Sequence, residues 1–115
     1  MNIRLAKPED IEQIYTLVNL HSTRGDILPR TQKQIQYTLS DWLVGHMHKK
    51  IVACVSLVQY NKNLAEIRSL IVSDKLQGSG YGASLLKAII EEAKNRKIPK
   101  LFALTRAQGF FERAG

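Results

Sequence analysis

The order of apolar and polar positions divides the chain into a readable series of elements. Asn2 to Ala6 alternates as a short strand. Lys7-Pro8-Glu9-Asp10 opens a helix, because proline suits the first turn and acids suit the positive end of the helix dipole. Ile11, Ile14, Tyr15, Leu17 and Val18 form its apolar stripe. His21 to Arg30, broken by Gly25-Asp26 and Pro29, reads as a loop. Thr31 to Leu39 reads as a second short helix with Thr31 as its N-cap.

The period then changes from helical to alternating. Trp42 to His46 and Ile51 to Tyr60 are strand-like and joined by a turn at His48-Lys49-Lys50. A second turn at Asn61-Lys62-Asn63 leads into a strand over Leu64 to Ser73. Three strands with short turns predict an antiparallel meander. Gly80 to Lys97 reads as a long helix with its stripe at Leu85, Leu86, Ile89, Ile90 and Ala93, ended by Pro99. Lys100 to Thr105 is a strand, and Gln108 to Ala114 starts a final helix. The fold class is α/β of the α+β type: one domain over residues 1–115, a mixed and mostly antiparallel sheet, and one β-α-β crossover near the end.

Composition narrows the function classes. The 115 residues are 44% hydrophobic and 23% charged, an ordinary globular balance. With one cysteine, Cys54, no intramolecular disulfide is possible, and the expected compartment is the cytoplasm. The charged N-terminus leaves no room for a signal-peptide apolar core, and the longest apolar run, Ile51 to Val55, is far too short for a membrane span. Lys plus Arg exceeds Asp plus Glu by 17 to 10, a net charge of +7. That surplus suits a polyanion or a carboxylate substrate. Lys94, Arg96, Lys97 and Lys100 gather at a helix C-terminus, where the dipole favours cations, so they read as a solvated helix end rather than a nucleic-acid surface. His21, His46 and His48 lack the spacing of a metal set, and Cys54 in its apolar strand reads as a core thiol. Neither nucleic acid, membrane nor metal is expected.

The most specific feature is Gln77-Gly78-Ser79-Gly80-Tyr81-Gly82, between a strand and the long helix. Glycines let the backbone approach closely, and the unpaired N–H groups of a helix start point at phosphate oxygens. The Walker spacing is absent. A dinucleotide fingerprint fits literally at Gly78, Gly80 and Ala83, but it calls for an acid about twenty residues on, and Ile98 to Arg106 has none. A pyrophosphate loop of the form Gln/Arg-x-x-Gly-x-Gly is met by Gln77, Gly80 and Gly82.

With Leu64-Ala65-Glu66-Ile67 and Leu70-Ile71-Val72-Ser73 before it and Phe110-Phe111-Glu112-Arg113-Ala114-Gly115 after it, that loop resembles the GNAT superfamily of acetyl-CoA-dependent N-acetyltransferases. Gly25-Asp26-Ile27-Leu28-Pro29-Arg30, Ala65 to Leu70 and Leu101 to Thr105 are similar to the acetyltransferase domain of N-acetylglutamate synthases and their short single-domain relatives. The resemblance implies acetyl transfer from acetyl-CoA to the amine of a small molecule, glutamate or a related amino acid, within amino-acid metabolism and arginine biosynthesis. An alternative is an acyl-CoA-binding or regulatory remnant. A nucleic-acid binder, suggested by charge alone, ranks last.

The resemblance also implies roles. The backbones of Leu70, Ile71 and Val72 would pair with the pantetheine arm, and those of Gln77, Gly78, Ser79, Gly80, Tyr81 and Gly82 would hold the pyrophosphate. Glu66 stands where the superfamily often places a general base. By period two it shares a strand face with Arg68, Leu70 and Val72. A backbone N–H near Ile71 would stabilise the thioester oxygen. Arg30, Arg68 and Arg106 are candidates for pairing with substrate carboxylates, with Arg24 a weaker one. Where many of the superfamily carry a tyrosine acid in the last helix, this chain has Phe111. The family pattern continues with two C-terminal strands that this chain does not contain. An exposed edge at Lys100–Thr105 raises the expectation of a homodimer.

Overall fold

The computed structural model describes residues 1–22 and 29–103. Its strands are β1 (Asn2–Leu5), β2 (Trp42–Met47), β3 (Lys50–Asn61), β4 (Leu64–Val72) and β5 (Lys100–Phe102). Its helices are α1 (Ile11–Ser22), α2 (Gln32–Tyr37) and α3 (Tyr81–Asn95), with short 3-10 turns at Pro8–Asp10, Leu39–Asp41 and Asp74–Leu76. The five strands lie in sequence order in one sheet. Neighbours run antiparallel except β4 and β5, which are parallel and joined through α3. No helix among the described residues is long and apolar enough to cross a membrane.

Local chemistry explains the element starts. Thr31 caps α2: its hydroxyl accepts from the Gln34 amide at 3.1 Å, and the Gln34 side chain accepts from the Thr31 amide at 2.8 Å. The predicted start at Lys7-Pro8 is a 3-10 turn before α1. There Asp10, 3% exposed, accepts from the Lys7 amide at 2.7 Å and from both terminal nitrogens of Arg4, at 2.6 and 3.1 Å.

The sheet separates two cores. On one side α3 lays Leu85, Leu86, Ile89 and Ala93 against Val55, Leu57, Ala65 and Ile67. On the other, α1 and α2 pack Ile14, Val18 and Ile35 against Trp42, Val44, Cys54 and Ile71. Each fully buried Leu or Ile contributes roughly 1.5–3 kcal/mol.

Two readings from the sequence need correction. The long helix ends at Asn95 rather than Lys97, and Pro99 is not its stop. Lys97 adopts φ 60°, which lets its own amide reach the Lys94 carbonyl at 2.9 Å and the Ile98 amide reach the Ala93 carbonyl at 3.0 Å. These two bonds make a Schellman turn, with lysine where glycine is usual. The second correction concerns β4. Ser56 pairs with Arg68 but Cys54 pairs with Ile71, so Val55 alone faces both Ser69 and Leu70. This is a β-bulge, and Ser69 sits in it at φ 55°. The extra residue reverses the alternation. Leu70 and Val72 pack on the α3 side with Ala65 and Ile67, while Ile71 joins the other core. Glu66 and Arg68 therefore do not share a face with Leu70 and Val72. The predicted final helix and the strand beyond Ala103 lie outside the described residues.

Candidate active site

The bulge concentrates the polar groups of the sheet centre. The Arg68 carbonyl accepts from the Ser56 hydroxyl at 3.2 Å, and the Ser69 carbonyl from the Cys54 thiol at 3.5 Å. Side chains of β3 thus serve carbonyls at the point where the ladder is interrupted. Cys54 is fully buried at this point, and that burial pushes its thiol far above the ordinary range, so it remains protonated.

Glu66 lies immediately before the bulge and is 4% exposed. Its Oε1 accepts from Arg68 Nε at 2.8 Å and from the Tyr60 hydroxyl at 2.5 Å. Arg68 Nη2 also donates to the Tyr60 oxygen at 2.9 Å. A buried carboxylate persists only when it is paired in this way. Arg30 lies just before α2 and packs on Trp42. Its guanidinium stands 5.7 Å over the Trp42 ring, and its carbonyl accepts from the Asn19 side chain at 3.0 Å. Burial, and then repulsion from Arg68, hold Arg30 below the usual arginine range, with Glu66 acting in the opposite direction. Of the three predicted substrate cations, Arg68 is bonded to Glu66, and Arg30 lies within electrostatic reach of both. Arg106 and the weaker candidate Arg24 lie outside the described residues.

Past the bulge, β4 presents backbone. Among the described residues β5 pairs only with Leu64, Ala65 and Glu66, so the same edge from Ile67 to Val72, including Leu70 and Ile71, carries no partner strand. The strand leads through the Asp74–Leu76 turn into the glycine loop. Gln77 Nε2 donates back to the Val72 carbonyl at 3.1 Å and to Asp74 at 3.4 Å, and the Ser79 hydroxyl donates to the Leu76 carbonyl. An oxygen of Asp74 in turn lies 3.5 Å from Nε2 of the buried His21. Gly78 and Gly80 adopt φ 85° and 84°, the left-handed region that glycine enters at least cost. A Cβ at either would meet nothing within 4 Å. Gly80 caps α3 without a side-chain hydrogen bond, so the first amides of α3, from Tyr81 and Gly82 onward, have no side-chain cap.

This region fits acetyl-CoA. An open edge of β4 can pair with an amide-bearing arm, and an uncapped helix start beside two left-handed glycines can accept a pyrophosphate. Tyr60 is the residue that sequence reasoning missed. It lies near the end of β3, two residues past Val58, which pairs with Glu66, and at the extra residue between Gln59/Ala65 and Asn61/Leu64. The turn at Asn61-Lys62-Asn63 implied that these residues are near, but not which side chains meet.

Comparison with known proteins gives the same assignment. The chain is 30% identical to an amino-acid acetyltransferase of Mannheimia succiniciproducens, over 99% of its own length and 26% of that protein's. It is 27% identical to an uncharacterized N-acetyltransferase of Chlorobaculum tepidum, over 98% of its length and 73% of the relative's. The chain thus spans about a quarter of the amino-acid acetyltransferase it matches. The structure superposes with a TM-score of 0.93 on N-acetylglutamate synthase from Neisseria gonorrhoeae complexed with coenzyme A and N-acetyl-glutamate, at 29% identity over 99% of this chain and 27% of that one. Residues 9–115 match the sequence model of the Acetyltransferase (GNAT) family, and the chain belongs to that family.

Proposed function

We propose that this domain transfers the acetyl group of acetyl-CoA to the primary amine of a small amino acid, glutamate or a related acidic one. The observation that carries the reading is a buried carboxylate, Glu66, bonded to Arg68 just before the β4 bulge, with Arg30 under the charge of both. Two arginines suit the two carboxylates of an acidic amino acid, since each can pair bidentately. The likeness to an N-acetylglutamate synthase with N-acetyl-glutamate supports the same substrate class.

Acetyl-CoA supplies the activated acetyl group as a thioester. The chain's own residues do the rest. The backbones of Leu70, Ile71 and Val72 hold the arm, and those of Gln77, Gly78, Ser79, Gly80, Tyr81 and Gly82 hold the pyrophosphate. Lys75 adds attraction for the CoA phosphates. An N–H near Ile71 steadies the thioester oxygen. Glu66 takes the proton that the ammonium group must lose before its nitrogen can attack. Arg30 and Arg68 orient the amine by its carboxylates.

The test is release of free CoA from acetyl-CoA with L-glutamate, run beside a panel of neutral, basic and acidic amino acids. Turnover that is fastest with acidic amino acids, and at least about 100-fold slower in Glu66→Gln, is expected. Calorimetric CoA binding without turnover of any amine would instead make the protein a binding module.

A further inference from the structure

We propose that Tyr60 is a positioning residue for the reaction: it pins Oε1 of Glu66 and so presents Oε2 as the atom that receives the amine proton. The proposal rests on the reading of Glu66 as the base. Three hydrogen bonds close a ring among Tyr60, Glu66 and Arg68, at 2.5, 2.8 and 2.9 Å. Their directions are forced. Arginine only donates, so the Tyr60 oxygen accepts from Arg68 and its single proton points to Glu66. Arg68 and Tyr60 both end on the same carboxylate oxygen. Among the described residues nothing bonds Oε2.

The phenol is itself held. The Tyr60 ring stacks on Phe102 of β5, with centroids 5.9 Å apart and planes 20° apart. Phe102 pairs with Glu66 in the parallel ladder, so the stack and the carboxylate share one rung of the sheet. Tyr60 follows Val58, the residue opposite Glu66, by two positions and so lies on the same face, at the extra residue in β3. Arg68 alone could swing with Glu66, because both belong to one strand. Tyr60 anchors the pair to a second strand and, through Phe102, to a third. Side chains that fix a reacting group's geometry act on turnover more than on binding.

The experiment compares wild type, Tyr60→Phe, Glu66→Gln and the double variant, with acetyl-CoA and L-glutamate as probes. Tyr60→Phe keeps the ring stack and removes only the hydroxyl, and its thermal midpoint checks folding. It is expected to lower kcat about 10-fold, the scale of one charge-assisted hydrogen bond, with KM for acetyl-CoA unchanged. In the Glu66→Gln background the same change is expected to alter kcat less than about 2-fold, because two residues that act as a unit are not additive. Tyr60→Phe at wild-type kcat, or losses that multiply in the double variant, overturns the proposal. Unchanged kcat in Glu66→Gln alone overturns the base reading itself, and absence of turnover in the wild type overturns both.

Discussion

Arg30 lies within electrostatic reach of Arg68, and that like charge adds to burial in holding Arg30 below the usual arginine range. Among the described residues Glu66 is the carboxylate that acts on both, and Arg68 already donates to it. Among the described residues, positive charge there exceeds negative, an excess that an anion can relieve.

Acidic amino acids should accordingly stabilise the fold, whereas neutral ones should not. At a concentration about 100 times Kd, L-glutamate would add about 2.7 kcal/mol. Thermal melts with L-glutamate, L-glutamine and L-lysine would test this, and equal shifts for all three would count against it. Arg30→Met should raise KM for the amine on the order of 10- to 100-fold and leave KM for acetyl-CoA in place.

Gly80→Ala isolates backbone conformation in the loop. Space is open at this position, so the variant meets no clash, but its φ of 84° strains any residue with a Cβ. Stability should fall by roughly 1–2 kcal/mol in denaturant titrations. KM for acetyl-CoA should rise more than kcat falls, because the first amides of α3 would no longer be aimed.

Lys97→Gly should have the opposite sign. The left-handed lysine that closes α3 costs about 1 kcal/mol or more relative to glycine, partly offset by glycine's extra freedom in the unfolded chain. A net gain of up to about 1 kcal/mol is expected by urea denaturation, with kcat unchanged.

The pair Arg4–Asp10 predicts acid sensitivity far from the site. The Arg4 hydrogen bond holds the Asp10 carboxyl below the usual aspartate range, against the opposing effect of burial. A group whose folded pKa is depressed stabilises the protein above its unfolded pKa, about 3.9 for aspartate, and loses that contribution as pH falls through the folded value. Asp10→Asn should cost about 2 kcal/mol at neutral pH. The gap between variant and wild type should close below pH about 4, as read by melts across pH.

The glycine loop could be read in the sequence because its geometry demands a residue type. Left-handed φ at two positions before a helix is met most cheaply by glycine, and Gly78 and Gly80 declare it. Thr31 declared its cap for the same kind of reason. Ser69 declared nothing: it takes φ 55° as a serine, because pairing on either side fixes the bulge rather than any local preference. Alternation counted through it therefore put Leu70 and Val72 on the wrong face. Tyr60 was hidden because the register of β3 on β4, with Val58 opposite Glu66, decides which side chain meets the carboxylate. The end of α3 was misplaced because lysine occupies a position where glycine would have marked it.

The bulge at Ser69 also works as a joint in the division of labour along β4. Under the proposed reading, Glu66 and Arg68 before it face the acceptor, and the backbone after it serves the cofactor. Acceptor preference and cofactor affinity then become separately adjustable within one strand. A designer seeking a new amine would vary positions up to Arg68 and keep Leu70 onward intact. Pairing Ser69 in a regular ladder would restore plain alternation and put Leu70 and Val72 on the face of Glu66 and Arg68.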